Sequence, residues 1–238
     1  MTKSIIEFVD CTIGYETPLL NHLNLQIHSG DFISIVGRTG IGKSTLLRLI
    51  GNVDTHLRKP NIISGALIMK NDFEAGIVFQ SLDQLFPWKT AIENVMLAYH
   101  AGRVQSDKQT AYENAKKLLV EVGLEDQSNT YPNILSGGMR QRVAIARSML
   151  GEPDILLMDE PFGSLDPHTR RKLQETLRDL HKKHGMTVVF ITHDINEAII
   201  LSSRVLAIKN NEEYQVFHSS DLKEYESLEH EILDYLAE

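Results

Sequence analysis

The chain has 238 residues, 42% of them hydrophobic and 24% charged, which suits one large α/β domain with a sizeable buried core. Cys11 is the single cysteine, so a disulfide within the chain is excluded. The formal net charge of −8 argues against a strong nucleic-acid binder, which usually carries a basic surface, and no nucleic-acid partner is expected.

Membrane-spanning segments are not predicted. The apolar runs of the sequence fall far below the roughly 20 residues that a spanning helix needs. Residues 1–10 lack the long apolar stretch of a signal peptide. Work at a membrane would therefore require a membrane-embedded partner.

The N-terminal third of the chain predicts short strands separated by turns. These strands cover residues 5–9, 23–27, 32–36, 65–69 and 76–79. The third of them is nearly all apolar, as expected for a strand buried on both faces of a sheet. A glycine-rich turn and a helix over residues 43–50 follow it.

The middle of the chain predicts helices. Thr90 and Glu93 fit a capping box at the start of the first helix. An apolar stripe over residues 111–122 marks a second helix, and a third is expected over residues 138–150. Residues 81–150 are therefore interpreted as a helical insertion.

The last third alternates strand and helix. Residues 155–158 and 188–191 predict buried strands, and Asp166 and Asp194 predict the N-caps of the helices that follow. Such alternation favours a parallel sheet with crossover helices. The tail beyond residue 210 is expected to end in a charged, partly amphipathic helix.

A glycine-rich loop directly follows the buried third strand and opens a predicted helix. It contains the pattern G-x-x-x-x-G-K-S, whose backbone N–H groups and helix N-terminus attract phosphate oxygens. Lys43 is expected to reach the β- and γ-phosphates, and Ser44 to offer its hydroxyl to Mg2+. The alternative is a purely structural turn. The candidate nucleotide-binding residues are Gly37, Arg38, Thr39, Gly40, Ile41, Gly42, Lys43, Ser44 and Thr45.

Two carboxylates end the predicted strand at residues 155–158. Ligands of open parallel sheets bind beyond the carboxyl ends of the strands, so Asp159 is expected near Mg2+. Glu160 follows it and is expected to polarise the attacking water. The alternative is an acidic pair that merely ends the strand in solvent.

A second anion-binding helix N-terminus is predicted where Ser136, Gly137 and Gly138 precede a helix. One nucleotide has one γ-phosphate, which the first loop already holds. A second cradle therefore suggests that two chains share each nucleotide. Arg140 and Arg147 on the following helix are interpreted as a solvated stripe.

The order of these motifs along the chain resembles that of the ABC transporter ATPase family, and the resemblance covers nearly the whole chain. Residues 37–45 are similar to its Walker A loop, and residues 155–160 to its Walker B strand with the catalytic glutamate. Residues 135–139 resemble its LSGGQ signature, with Met139 in place of the glutamine. That substitution removes a polar contact and leaves the helix N-terminus unchanged.

The resemblance implies roles for four further residues. Gln80 would contact Mg2+ and sense a membrane subunit, and His193 would contact the γ-phosphate. Tyr15 would stack on adenine, and Asp166 would lie in a loop that crosses a dimer interface. Taken alone, Gln80 could instead be a solvated loop residue, His193 a histidine bonded to backbone, and Tyr15 a core aromatic.

The fold class that the resemblance implies is an α/β P-loop NTPase. It has a mostly parallel core sheet, an N-terminal antiparallel β region and an inserted α-helical subdomain. A single ABC-type ATPase domain is expected over residues 1–238. Residues 1–80 and 151–215 would form the nucleotide-binding core, residues 81–150 the insertion with the signature, and residues 216–238 a short C-terminal helix.

The family also implies an activity and partners. ATP and Mg2+ would be the cofactors, and two ATPase subunits would pair, with a homodimer expected. The chain would act peripherally at the cytoplasmic face of the cell membrane. There it would contact transmembrane permease subunits and, indirectly, a substrate-binding protein.

Residues 85–95 and 160–166 further resemble the nitrate, sulfonate and taurine importer ATPases, which implies uptake of a small solute. Phe86, Pro87 and Trp88 would then be residues that dock a permease. The alternative for the two aromatics is a place in the core of the insertion. The connection over residues 52–63 looks longer than usual for the family, and the segment 70–75 shorter.

Two other functions remain open at this point. The first is a soluble ABC ATPase acting on DNA or the ribosome, although such members usually carry two ATPase modules or long coiled coils. The second is a small-molecule P-loop kinase, which has no use for a second phosphate cradle.

Overall fold

The computed structural model describes residues 4–53, 60–218 and 225–237. The described strands are β1 (Ser4–Gly14), β2 (Pro18–His28), β3 (Phe32–Gly37), β4 (Asn61–Met69), β5 (Ala75–Val78), β6 (Ile155–Asp159), β7 (Thr187–Ile191), β8 (Arg204–Ile208) and β9 (Tyr214–His218). The described α-helices are α1 (Lys43–Ile50), α2 (Ala91–Val95), α3 (Leu97–His100), α4 (Lys108–Glu121), α5 (Gly137–Met149), α6 (Pro167–His184), α7 (Ile195–Leu201) and α8 (Tyr225–Ala237).

A six-stranded sheet forms the centre of the molecule, in the order β5-β6-β7-β3-β8-β9. Neighbouring strands are parallel except for β9, which pairs antiparallel with β8 at the edge. All five residues of β7 are buried, because both faces of this sheet are covered. Val188 and Phe190 pack against residues of α5 and α6, whereas Val189 and Ile191 pack in a cluster with α1, β1 and β2. The predicted mostly parallel core sheet is confirmed.

The interior strand β8 and the edge strand β9 are absent from the sequence-based prediction. Strand β8 is mostly buried, and β9 contains the buried Phe217 among partly buried and exposed residues. Strand β9 has no clear pattern of its own, so its assignment depends on its antiparallel pairing with β8.

The second sheet is antiparallel, with the order β2-β1-β4. Strands β1 and β2 have 11 residues each and extend well beyond the predicted segments. Asp10 and His22 interrupt the apolar pattern, with φ values of 48° and 53°. The pairing shifts register on both sides of Cys11, so the strands continue through a bulge that the alternation does not reveal.

The helical insertion lies between β5 and β6, as predicted. Its first helix carries the expected capping box. The Thr90 hydroxyl accepts a bond from the Glu93 N–H at 3.4 Å, and the Glu93 carboxylate accepts one from the Thr90 N–H at 2.7 Å. Buried faces of α2, α4 and α5 form one continuous apolar core that also includes residues of β6 and α6.

The C-terminal tail differs from the predicted helix over residues 216–238. Residues 216–218 belong to β9, and the described helix α8 begins at Tyr225. Its buried Ile232 packs in the apolar cluster that α7 and β8 share. Within the predicted long connection over residues 52–63, residues 54–59 lie outside the described part. In the described ranges, no helix is both long enough and apolar enough to cross a bilayer.

Candidate nucleotide-binding and hydrolysis site

The carboxyl ends of β3, β6 and β7 meet at one edge of the central sheet. Strand β7 pairs in parallel with both β3 and β6, so the segments that follow the three strands are neighbours in space. These segments carry the glycine-rich loop, the Asp159–Glu160 pair and His193. This is the edge where open parallel sheets bind ligands.

The phosphate loop is held in shape by its lysine. Lys43 is only 6% exposed, and its ammonium donates to the carbonyls of Gly37 at 2.7 Å and Arg38 at 2.9 Å. Burial lowers the pKa of Lys43. Gly42 forms the N-cap of α1 in the left-handed conformation, with φ at 107°. At the tip of the loop, Arg38, Thr39 and Gly40 are exposed.

Gly37 and Gly40 offer a matched pair of substitutions in this loop. A Cβ at Gly37 would lie 2.4 Å from the backbone oxygen of Ile208, whereas a Cβ at Gly40 meets nothing within 4 Å. We expect Gly37→Ala to lower the free energy of unfolding by about 3 kcal/mol or more, because backbone on β8 cannot move aside. Gly40→Ala should cost about 1 kcal/mol, from its positive φ alone. Urea unfolding measures both, and equal losses would contradict the steric argument.

Ser44 and Asp159 form an oxygen-rich pair beside the loop. The Ser44 hydroxyl donates to the Asp159 carboxylate at 3.2 Å. Burial raises the pKa of Asp159, and the bond from Ser44 opposes that rise. A hydroxyl next to a carboxylate is a donor set that suits a hard divalent cation such as Mg2+.

The side chain of Glu160 contacts two residues from distant parts of the sequence. Gln80 Nε2 donates to Glu160 Oε2 at 3.3 Å, and His193 Nδ1 lies 3.3 Å from the same oxygen. Glu160 itself has a positive φ of 44°, which is a strained backbone for a residue other than glycine. Its N–H bonds to the carbonyl of Ile191 on β7 at 3.0 Å, and this bond holds the strained turn in place.

Tyr15 lies in the turn between β1 and β2 and is partly exposed, so it is not a core aromatic. The residues that begin β2 approach the phosphate loop. A Cβ at Gly42 would lie 3.3 Å and 3.4 Å from side-chain atoms of Leu20 and Leu19. The turn that carries Tyr15 therefore leads directly into residues beside the loop.

The second helix N-terminus is built as the sequence predicts. Ser136 caps α5, and its hydroxyl accepts a bond from the Met139 N–H at 3.3 Å. Ser136 is exposed. Gly138 has a packing role that the sequence does not reveal, because a Cβ there would lie 2.2 Å from the Thr169 side chain at the start of α6.

Asp166 caps α6 with its carboxylate, which accepts bonds from the N–H groups of His168 and Thr169, both at 3.1 Å. The bond from the Thr169 hydroxyl is the main cause of a lowered pKa of Asp166. The exposed residues Ser164 and Asp166 flank the buried Leu165. The loop of residues 164–166, called here the interface loop, thus begins a well-capped helix.

Two polar residues, Asn94 and Arg147, organise this region in ways that were not predicted from the sequence. Asn94 is fully buried and donates to the carbonyls of Phe86, Lys89 and Thr90. Arg147 donates to the carbonyl of Gln84 at 2.7 Å, so its interpretation as part of a solvated stripe is wrong. A polar residue within an apolar stripe, as at Asn94 between Ile92 and Val95, is the signal that could have revealed such a role.

The central sheet, the glycine-rich loop after β3 and the lysine that begins α1 define an α/β protein of the P-loop NTPase class. A protein-family model described as ABC transporter matches residues 20–163. The chain belongs to the ABC transporter family, whose ATP-binding proteins bind and hydrolyse ATP, and it is an ATPase.

Individual relatives agree with this assignment. The chain is 41% identical over 188 residues to an aliphatic sulfonates import ATP-binding protein SsuB of Bacillus cereus, covering 79% of this chain and 72% of that protein. Its fold is similar to that of the dimeric ATP-binding cassette MJ0796 in a post-hydrolysis state bound to ADP and Pi. The TM-score is 0.75 and the identity 33%, over 91% of this chain and 100% of that one. It is also similar to cbiO1 of Clostridium perfringens, with a TM-score of 0.80 and 25% identity over 98% and 94% of the two chains.

Proposed function

We propose that this chain is the ATPase subunit of an importer and that two copies close over two molecules of ATP. The observation that carries the hydrolytic part is the meeting of Gln80 and His193 at one oxygen of Glu160, each at 3.3 Å. A polarised carboxylate of this kind, beside a phosphate loop, suits activation of a water molecule. The dimer of MJ0796 supports the pairing of two chains.

Each nucleotide contacts residues of both chains in this arrangement. Lys43 and the loop residues 37–45 bind the phosphates on one chain, while Ser136, Gly137 and Gly138 complete the site from the other. Tyr15 stacks on the adenine, and Asp166 lies at the interface between the chains. Closure needs the γ-phosphate, because this anion bridges two positive helix ends.

Mg2+ would be held by Ser44, Gln80 and, through water, Asp159. When bound, the ion neutralises charge on the phosphate oxygens. The chain itself supplies the remaining groups. Glu160 orients and polarises the attacking water, and His193 stabilises the negative charge that develops on the γ-phosphate. Loss of that phosphate removes the bridge, and the dimer opens.

The import role rests on the named relatives and on an exposed aromatic surface. Phe86 and Trp88 are 41% and 68% exposed, so they are not core aromatics of the insertion. Their rings meet edge to face at 5.2 Å, and Asn94 fixes the backbone of this loop. Exposed aromatics on an ordered loop are typical of protein contact sites.

The proposed partners of this surface are transmembrane permease subunits at the cytoplasmic face of the membrane. A substrate-binding protein would act through them, and the sulfonate relatives favour a sulfonate-like small solute. The same relatives favour import over action on DNA or the ribosome. Opening of the dimer would reach the permease through Gln80 and the neighbouring loop 86–88.

Co-purification with the membrane subunits tests the import role. We expect Trp88→Ala to reduce recovery of permease by about ten-fold or more, since an aromatic anchor at an interface is often worth about 2 kcal/mol. Leu233→Ala on α8 is the matched control, because Leu233 is also an exposed apolar residue, at 46%. Equal recovery of permease with both variants, or stimulation of the ATPase by nucleic acid, would contradict the proposal.

A further inference from the structure

Arg170 lies in the first turn of α6 and faces two segments that are far apart in sequence. Its Nη2 donates to the carbonyl of Leu165 in the interface loop at 3.4 Å. Its Nη1 lies 3.9 Å from the Asp194 carboxylate, and its Nε lies 3.6 Å from the Glu197 carboxylate. One guanidinium therefore joins the interface loop to the residues that follow His193.

Glu197 continues this connection toward His193. Its side chain is largely buried, at 7% exposed, and accepts a bond from the Thr192 hydroxyl at 2.7 Å. The Gln174 amide on α6 donates to the other carboxylate oxygen at 3.1 Å. A buried carboxylate with these partners has a fixed position, because moving away from them would leave its charge unpaired.

The hydroxyl of Thr192 completes the path to the histidine. It donates to Glu197 and accepts a bond from the Asp194 N–H at 3.0 Å. The two residues on either side of His193 are thus held by one hydroxyl. His193 Nδ1 in turn lies 3.3 Å from Glu160, the residue from which the chain leads into the interface loop.

We infer that Arg170 and Glu197 are positioning residues that tie the interface loop to His193. The contacts form a closed circuit from Glu160 through Leu165, Arg170, Glu197 and Thr192 to His193 and back to Glu160. A partner chain that contacts and displaces the interface loop would move Leu165. Through the Arg170 guanidinium and Glu197, this movement would change the position of His193. This inference rests on the proposed function, because the partner that contacts the interface loop is a second copy of the chain.

A purely structural role for the Arg170–Glu197 pair predicts a different result from this positioning role. Structural support would lower stability and leave the turnover of the folded enzyme intact. Positioning would lower kcat and leave the KM for ATP unchanged, because the hydrogen bond and ion pairs of Arg170 join it to Leu165, Asp194 and Glu197 and not to the phosphate loop. His193 acts only as charge develops on the γ-phosphate.

Steady-state phosphate release with MgATP, measured on the full chain, distinguishes the structural role from the positioning role. We expect Arg170→Met and Glu197→Gln each to lower kcat on the order of ten-fold or more, with KM changed less than about two-fold, since small misplacements of a reacting group are costly. Arg171→Met is the matched control, an exposed arginine one residue further on the same helix, and it should keep the parent kcat.

The double variant and a conservative pair sharpen the test. If both residues act through one path, Arg170→Met combined with Glu197→Gln lowers kcat no further than the stronger single change. Thr192→Ser should retain the parent kcat, since it keeps the hydroxyl. Thr192→Val should lower kcat about as much as Arg170→Met or Glu197→Gln does. Multiplied losses in the double variant, or equal activity of Thr192→Ser and Thr192→Val, would overturn the inference.

A dimerisation assay separates this inference from the proposed function. We expect Arg170→Met, introduced into the Glu160→Gln chain, to leave ATP-dependent dimers intact. Failure of Glu160→Gln alone to dimerise would overturn the shared site and the inference with it. Dimers that form normally, together with an unchanged kcat for the single variant Arg170→Met, would overturn the inference alone.

Discussion

Glu160→Gln is expected to bind ATP normally and to lower turnover by roughly 10² or more, the usual consequence of losing a positioned acid–base group. The amide has nearly the same size as the carboxylate and can still meet Gln80 and His193. It lacks the negative charge that polarises water. Because the γ-phosphate then persists, the variant should accumulate as an ATP-dependent dimer. Phosphate release and size-exclusion chromatography with and without ATP measure the two effects.

Glu175→Gln is the control for this substitution. Glu175 is exposed on α6, the helix that the interface loop begins. It should hydrolyse ATP at the parent rate and form no persistent dimer. Hydrolysis at the parent rate by Glu160→Gln would show that another group activates the water.

Ser136→Arg is expected to abolish ATP-driven dimerisation and to reduce turnover on the order of 10² or more, the scale for removing a preorganised set of donors. Ser136 is exposed, so a long side chain can be accommodated by the single chain. Its bulk would occupy the space into which a partner's nucleotide must fit. ATP binding to the isolated chain should remain at the parent affinity, because the phosphate loop after β3 is unaffected.

Ser64→Arg provides a control of equal charge. Ser64 is exposed on β4 in the antiparallel sheet, which carries none of the proposed nucleotide contacts except the turn at Tyr15. This variant should dimerise and hydrolyse ATP as the parent does. Normal ATP-driven dimerisation of Ser136→Arg would exclude the shared site.

Features that depend on neighbouring residues were predictable from the sequence. The capping box at Thr90 and the N-caps at Asp166 and Asp194 are present as expected. The glycine-rich loop begins helix α1 at Lys43, as predicted. The capping bonds span two or three residues and the Lys43 bonds within the loop five or six, so the local sequence contains both partners.

Features that depend on pairing between distant segments were not predictable from the sequence. The bulged parts of β1 and β2 and the short strand β9 are strands because of the neighbours with which they pair. The Gly138 contact with Thr169 depends in the same way on how α5 approaches α6. The pattern of apolar and polar side chains indicates which residues of a segment are buried, but it does not identify the neighbouring segment.

The α/β class with its parallel sheet, the phosphate loop and the residue types available for chemistry could be predicted from the sequence, because these follow from local patterns. Only the tertiary structure brought Gln80, Glu160 and His193 to one oxygen and joined the interface loop to His193 through Arg170 and Glu197. The physical reason is the parallel sheet. It brings the ends of strands that are far apart along the chain to a single edge, so the polar side chains at those ends come within hydrogen-bonding distance of one another.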